Sequence, residues 1–208
     1  MKAPTKHSVW QLLTIDVLNY KELFHIALQL ISSPARAWEE IRLEEDKQKV
    51  IVTFVYPMIG LCGLSVFIGV LLSNGWSGPQ SFQYAMTRCC AVAVSLFGGY
   101  YLASYLIAEI SERMFGLEID RLQIQRFAGY AMVILFILQI VIGVLPDFKV
   151  VSLLLQFYTA FVVWEGSEKM LLIPEKERFR FTIFSTLVLL LCPTIIELIF
   201  NRLTMVLI

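Results

Sequence analysis

Two acidic segments of this chain are near-repeats of each other. Each carries two glutamates three residues apart, followed directly by a base: Glu109 and Glu112 before Arg113, and Glu165 and Glu168 before Lys169. Residues three apart share one face of a helix, so the two carboxylates of a pair point in a similar direction. Such a pair is suited to binding a cation or a proton, or to pairing with a basic residue of a partner.

Both acidic segments follow long apolar runs and are therefore expected at the ends of membrane-crossing helices. The negative end of the helix dipole disfavours a carboxylate there by about 0.3–1 kcal/mol, so four of them in one bundle need a compensating charge. One hypothesis is a shared cation or proton site near the cytoplasmic leaflet, with no particular metal indicated. The alternative is that nearby bases neutralise the carboxylates and fix the helix ends at the interface. The candidate bases are Arg113, Lys169, Arg121 and Arg126.

A second charged pair is expected at the opposite membrane surface. Glu197 lies near the outer end of the last apolar run, four residues after Pro193, and Arg88 begins the second run at a similar depth. Charged groups within a membrane usually pair with one another, so we predict an ion pair between Arg88 and Glu197. A substrate or proton pathway through Glu197 is the alternative.

Enzymatic chemistry is not indicated. The two histidines, His7 and His25, have no useful spacing, and no triad, metalloprotease or phosphate-loop motif can be assembled. The four cysteines lie in or at the ends of apolar runs without the spacing of metal ligands: Cys62, Cys89, Cys90 and Cys192. We therefore expect neither catalysis nor a cofactor.

The composition places most of the chain in a lipid bilayer. Of 208 residues, 58% are hydrophobic and 16% charged, against about 45–50% and 25% in a soluble domain. The formal net charge is zero, which gives no reason to expect a nucleic-acid partner. The apolar residues cluster in runs about as long as a bilayer is thick, so an all-α, polytopic integral membrane protein is predicted.

Five spans are predicted within residues 50–208, as a five-helix transmembrane bundle. Their approximate bounds are 50–73, 88–109, 124–145, 150–171 and 181–201. The fourth apolar run covers only about 22 Å of helix, short of the hydrocarbon layer of about 30 Å. Because residues 167–173 contain no helix breaker before Pro174, we expect this helix to continue and to carry Glu165 and Glu168 into the membrane edge. In the first span, Gly60 and Gly63 are expected to let a neighbouring helix approach.

Residues 1–49 are predicted to form cytoplasmic, amphipathic helices in the membrane interface. The first helix places apolar residues on one face but is interrupted by polar ones, which excludes a span. That face comprises Trp10, Leu13, Val17, Tyr20, Phe24, Leu28 and Ile31. A second surface helix is expected to begin at Ser33 and Pro34 and to carry Trp38 and Ile41 on one side.

Basic residues predict the orientation of the spans. All but three of the 17 Lys and Arg residues fall in the N-terminal segment and in the loops after the second and fourth spans. Cytoplasmic loops carry the excess of Lys and Arg, so we expect a cytoplasmic N-terminus and an external C-terminus. The three exceptions are Arg88, Lys149 and Arg202.

Three short motifs, in this order, carry a family resemblance. They are Ser-Pro-Ala-Arg-Ala-Trp at 33–38, Phe-Gly at 115–116 followed by Arg-Phe-Ala-Gly-Tyr-Ala at 126–131, and Trp-Glu-Gly at 164–166 with Lys169 after it. Together with the five spans they resemble the Yip domain family, five-span membrane proteins related to those that interact with Ypt/Rab GTPases. The chain lacks the Asp-Leu-Tyr-Gly-Pro motif of eukaryotic members, so the resemblance implies a bacterial member in a cytoplasmic (inner) membrane.

Two functional hypotheses follow. The first is a membrane scaffold or adaptor that organises membrane traffic or shape, with a protein partner on the cytoplasmic side, the lipid bilayer around it and a homo-oligomer as a further candidate assembly. The second is a small transporter or ion-binding protein that uses the carboxylates at the membrane edge.

Overall fold

The computed structural model describes residues 20–43, 50–75 and 78–207, with side chains up to Thr204. Every regular element in these ranges is helical, which confirms the all-α prediction. Four residues named above, His7, Trp10, Leu13 and Val17, lie outside the described residues.

The helices follow one another with short connections. They are α1 (Tyr20–Ser32), α2 (Pro34–Leu43), a π-helical turn (Ile51–Val55) that leads into α3 (Tyr56–Asn74), α4 (Pro79–Phe115), α5 (Arg121–Ala131), α6 (Val133–Val144), a 3₁₀ turn (Pro146–Phe148) that leads into α7 (Lys149–Leu155), α8 (Tyr158–Lys169) and α9 (Glu175–Leu207).

Four helical segments are long and apolar enough to cross a membrane. They are Ile51–Asn74, Pro79–Phe115, Arg121–Val144 and Glu175–Thr204. The pair Pro146–Leu155 and Tyr158–Lys169 also qualifies but is bent by 43°, so the described chain has four spans, or five if this pair is one. Each segment overlaps a predicted span, and the protein is a multi-pass membrane protein.

The bent pair, α7 and α8, corresponds to the predicted fourth span. It bends where the backbone hydrogen bonds change to a shorter spacing. The amide of Phe157 donates to the carbonyl of Leu154 at 3.2 Å, and the amide of Ala160 donates to the carbonyl of Phe157 at 3.0 Å. These bonds reach three residues back instead of four, which is the 3₁₀ pattern and changes the helix direction. The helix does continue past Glu165 and Glu168, as expected, but it is not straight.

Close helix contacts are made through glycine, although not all at the expected positions. A Cβ atom at Gly69 of α3 would overlap the carbonyl of Gly143 in α6, and one at Gly99 of α4 would lie 2.6 Å from Cγ of Pro193 in α9. Gly63 approaches Cys89, with 3.2 Å between its built Cβ and Sγ. The predicted packing role of Gly60 is wrong, because none of the described residues comes within 4 Å of its built Cβ.

The two N-terminal helices pack against the bundle. Trp38 and Ile41 lie on one side of α2, and both are buried in the core, so this side packs against protein. In α1 the buried residues are Leu23, Ala27 and Leu30, whereas part of the predicted apolar face is exposed. The exposed members of that face are Tyr20, Phe24 and Leu28.

Alanine substitutions at two glycines of α3 test the packing of α3 against α6. Gly69→Ala should lower the free energy of unfolding by about 1–3 kcal/mol, because the added methyl group forces the two helices apart. Gly60→Ala is the matched control, and it should be neutral or slightly stabilising because Ala favours a helix over Gly by about 1 kcal/mol. Unfolding in mixed micelles would measure both, and equal stabilities would contradict the close approach.

Candidate functional site

The predicted acidic pairs lie at one end of the bundle, which we name the Gly116 end. There α4 stops at Gly116, whose φ of 63° is in the left-handed region. Its amide donates to the carbonyl of Glu112 at 3.1 Å, and the amide of Leu117 donates to the carbonyl of Ser111 at 3.0 Å. These two bonds satisfy the last carbonyls of the helix. The side chain of Asp120 then caps α5 by accepting from the amide of Leu122 at 3.2 Å.

A buried tryptophan joins three helices just inside this end. Trp38 of α2 is completely buried, and its Nε1 donates to the carbonyl of Val162 in α8 at 2.9 Å. Its ring stacks on Phe127 of α5 with 5.4 Å between centroids and meets the edge of Tyr130 at 6.2 Å. An aromatic pair of this kind contributes about 0.5–1.5 kcal/mol beyond its buried area.

Two glycines allow neighbouring side chains to pack closely at this point. A Cβ atom at Gly166 would lie 2.7 Å from Cε2 of Trp38 and 2.8 Å from Cε2 of Phe127. A Cβ atom at Gly129 would lie 2.8 Å from Cγ2 of Val55, in the π-helical turn. We name Trp38, Phe127, Tyr130 and Gly166 the tryptophan junction. It brings together the three motifs at 33–38, 126–131 and 164–166.

The π-helical turn beside the junction has a local cause. Pro57 lacks an amide hydrogen, and its ring crowds the carbonyl four residues earlier, at Thr53. The extra residue in the turn accommodates that defect. Phe54 is then buried against Tyr130, with 4.9 Å between ring centroids.

A buried arginine ties the end of α2 to α5. Arg126 is only 3% exposed, and its Nη2 donates to the carbonyl of Ile41. With Arg42, Gln123 and Met170 it lines a cavity of about 100 Å³. Arg126 therefore anchors the backbone of α2. The sequence analysis named it only as a candidate counter-charge for the acidic segments.

Comparison with known protein families matches residues 28–196 to the Yip1 domain. The chain belongs to the Yip1 domain family. The matched range includes α2, α5 and α8, which meet at the tryptophan junction, and extends into α9. No curated protein and no solved structure gives a match.

One glutamate in each acidic pair of this Yip1 domain is neutralised, and the two are neutralised separately. Glu109 forms an ion pair with Arg113 on its own helix. Glu168 lies 2.6 Å from Nη1 of Arg178 and 3.5 Å from Nζ of Lys169. Among the described residues, no group of three or more His, Cys, Asp or Glu side chains could hold a metal ion.

The counter-charge Arg178 was missed by the sequence analysis. It lies in α9, beyond the turn after α8, and its guanidinium stands 5.6 Å from the ring centroid of Trp164. Lys169 also reaches Glu39 of α2 at 3.3 Å, so an ion-pair network links three helices at the Gly116 end. The spacing of Trp164 and Arg178 gave no signal, because only the turn between α8 and α9 brings them together.

Within the part of the chain that the structure describes, the remaining member of each acidic pair has no such partner. Glu112 is exposed and lines a cavity of about 320 Å³ together with Glu118, Asp120 and Arg121. Glu165 is half-buried in α8 and, among the described residues, forms no ion pair.

At the opposite end of the Yip1 domain, the structure brings Arg88 and Glu197 together. Nη2 of Arg88 lies 3.7 Å from Oε1 of Glu197, with both side chains half-buried. Nη1 of Arg88 also donates to Oδ1 of Asn201 at 3.2 Å, a partner that the sequence analysis did not name. The three groups connect α4 to α9 beyond the Gly99–Pro193 contact.

The packing of the tryptophan junction predicts that truncating Trp38 strongly lowers the free energy of unfolding. Trp38→Ala should lower the free energy of unfolding by about 3–5 kcal/mol, because it leaves a cavity among three helices. Trp38→Phe should cost less, with about 1 kcal/mol from the lost indole hydrogen bond. Both would be measured by unfolding in mixed micelles.

The control for Trp38 is Phe161→Ala, which removes an exposed aromatic ring from α8. This change should have little effect, since no buried cavity results. Equal destabilisation by Trp38→Ala and Phe161→Ala would show that the junction does not hold the helices together.

Proposed function

We propose that this Yip1 domain protein is a membrane scaffold or adaptor that acts by association and catalyses no reaction. The transmembrane helices anchor it, and the Gly116 end presents a rigid, charged surface to a protein partner. The observation that carries this proposal is the tryptophan junction, which fixes the non-spanning helix α2 to two other helices. A surface held this firmly keeps its shape when a partner binds.

The charge distribution supports the cytoplasm as the side of the partner. The Gly116 end carries the loops that are rich in Lys and Arg, which favours a cytoplasmic location for this end. In a five-span chain the N-terminus is then cytoplasmic and the C-terminus external. A bacterial cytoplasmic membrane fits the resemblance drawn from the sequence.

The cavity beside Glu112 is the proposed contact point for the partner. It is open at the surface, and two exposed carboxylates, Glu112 and Glu118, line it. Neither forms an ion pair within the described residues. A partner with basic side chains would complement this surface, and such complementarity mainly accelerates association and selects the partner.

Charge reversal tests the adaptor function. The double variant Glu112→Lys, Glu118→Lys should lose the partners captured by crosslinking in native membranes, because it repels a basic surface. Asp147→Lys is the matched control, since it reverses an exposed carboxylate at the opposite end of the bundle. Quantitative mass spectrometry of the captured proteins gives the measurement. If the double variant and the control retain the same partners as wild type, the proposed surface is wrong.

A second candidate function is transport or binding of a cation or proton. Two observations favour it: the fourth span is bent by 43°, and Glu165 lies half-buried in its inner half without an ion pair among the described residues. Broken helices and intramembrane carboxylates are features of ion pathways. Glu168 is less suited to this role, because Arg178 and Lys169 already neutralise it.

Flux in proteoliposomes tests the second candidate. Glu165→Gln should abolish proton or cation uptake, followed with a pH-sensitive dye or with labelled Na⁺ and K⁺. Glu112→Gln is the control, as it removes an exposed carboxylate outside the bent span. Wild-type protein without flux, or flux that survives Glu165→Gln, would rule this function out.

A further inference from the structure

Helix α1 has three distinct sides. At about 100° per residue, each side covers roughly a third of the helix circumference. One side is buried and comprises Leu23, Ala27 and Leu30. The second is polar, comprising Lys21, Glu22, His25 and Gln29. The third is apolar yet exposed; we name it the outer apolar side, and it comprises Tyr20, Phe24 and Leu28.

The buried side of α1 lies against apolar parts of the bundle. It contacts α2 and α6, and α6 contains no charged residue along its whole length. Because α6 is the uncharged second half of the span Arg121–Val144, this contact places α1 at the depth of the hydrocarbon layer. A helix lying on the headgroups alone would not reach α6.

Hydrogen bonds show how far α2 enters the bundle. Ile41 accepts from the buried Arg126 near the Gly116 end, and Trp38 donates to Val162 further in. The carbonyl of Ile31, just before the turn between α1 and α2, accepts from Oη of Tyr158 at 2.6 Å. The turn therefore lies about 12 Å from Ile41 along α2, at 1.5 Å per residue. This length is less than half the thickness of a hydrocarbon layer of about 30 Å.

The polar side of α1 points back towards the Gly116 end. Nε2 of Gln29 donates to Oε2 of Glu40 at 2.6 Å, although eleven residues separate them. The helices α1 and α2 therefore fold back on each other as a hairpin. Hydrogen bonds from Gln29 and Arg36 lower the pKa of Glu40, which is exposed.

We propose that the α1–α2 hairpin is inserted into one leaflet only and that lipid acyl chains cover the outer apolar side of α1. Phe24 is 50% exposed and Leu28 63% exposed. Burying such side chains in hydrocarbon is favourable, because it removes apolar surface from water. The polar side faces the headgroups and water, so each of the three sides of α1 has a matching environment.

Continuity with the spans favours lipid over a protein occupant. The aromatic side chains next to the Ile31–Tyr158 bond, Phe157 and Phe161, are exposed on the fourth span. Exposed apolar groups on a transmembrane helix face acyl chains. The outer apolar side of α1 extends this lipid-facing surface beyond the spans, and the inference does not depend on the proposed adaptor function.

Photocrosslinking of the full chain in liposomes tests this proposal. The photoreactive residue p-benzoylphenylalanine would replace Phe24 or Leu28 in phosphatidylcholine and phosphatidylglycerol vesicles, with adducts identified by mass spectrometry. His25, on the polar side of α1, is the negative control. Leu191, exposed on the last span, is the positive control. Size-exclusion chromatography in detergent verifies that each variant is folded.

The expected result is an acyl-chain adduct at positions 24 and 28, in a yield comparable with position 191 and several-fold above position 25. A crosslinked dimer at positions 24 and 28 would overturn the proposal in favour of a second copy as the occupant. Lipid adducts at 191 without any at 24 and 28 would also overturn it, because the outer apolar side would then face water.

Discussion

The packing of α2 against the bundle is centred on one buried side chain, Trp38. A helix of ten residues is too short to be held by crossing the bilayer, so α2 needs direct bonds to its neighbours. The indole supplies a hydrogen bond to α8 and a stacking contact to α5. Gly166 is required opposite it, because any side chain there would occupy the space of the ring. The three motifs of the Yip1 domain are thus parts of a single packing arrangement.

The rest of the bundle is held by close backbone contacts. Between membrane helices the hydrophobic effect offers little driving force, so tight packing and polar bonds must supply it. Gly69 against Gly143 and Gly99 against Pro193 provide such packing on both sides of the central α3–α4 pair. The contact between α4 and α9 is reinforced by Arg88 and Glu197.

The ion pairs at the Gly116 end stabilise the helix ends and connect neighbouring helices. Arg113 and Arg178 each neutralise a glutamate that the helix dipole would disfavour. Lys169 adds a link to α2 through Glu39. Once these pairs are formed, Glu112 and Glu165 remain without an ion pair among the described residues, and they are the two glutamates on which the two functional proposals rest.

The sequence by itself determined the class of the protein, the positions of its spans and its family. These follow from the lengths of the apolar runs and from short motifs, both of which are local properties of the chain. Only the tertiary structure decided which residues meet. Gly69, rather than the predicted Gly60, contacts α6. Glu168 is reached by Arg178, which was not predicted, as well as by the predicted Lys169. The tertiary structure also showed that Trp38 lies in the core. The sequence did not decide this, because the spacing of apolar residues in a helix is the same whether they contact lipid or protein.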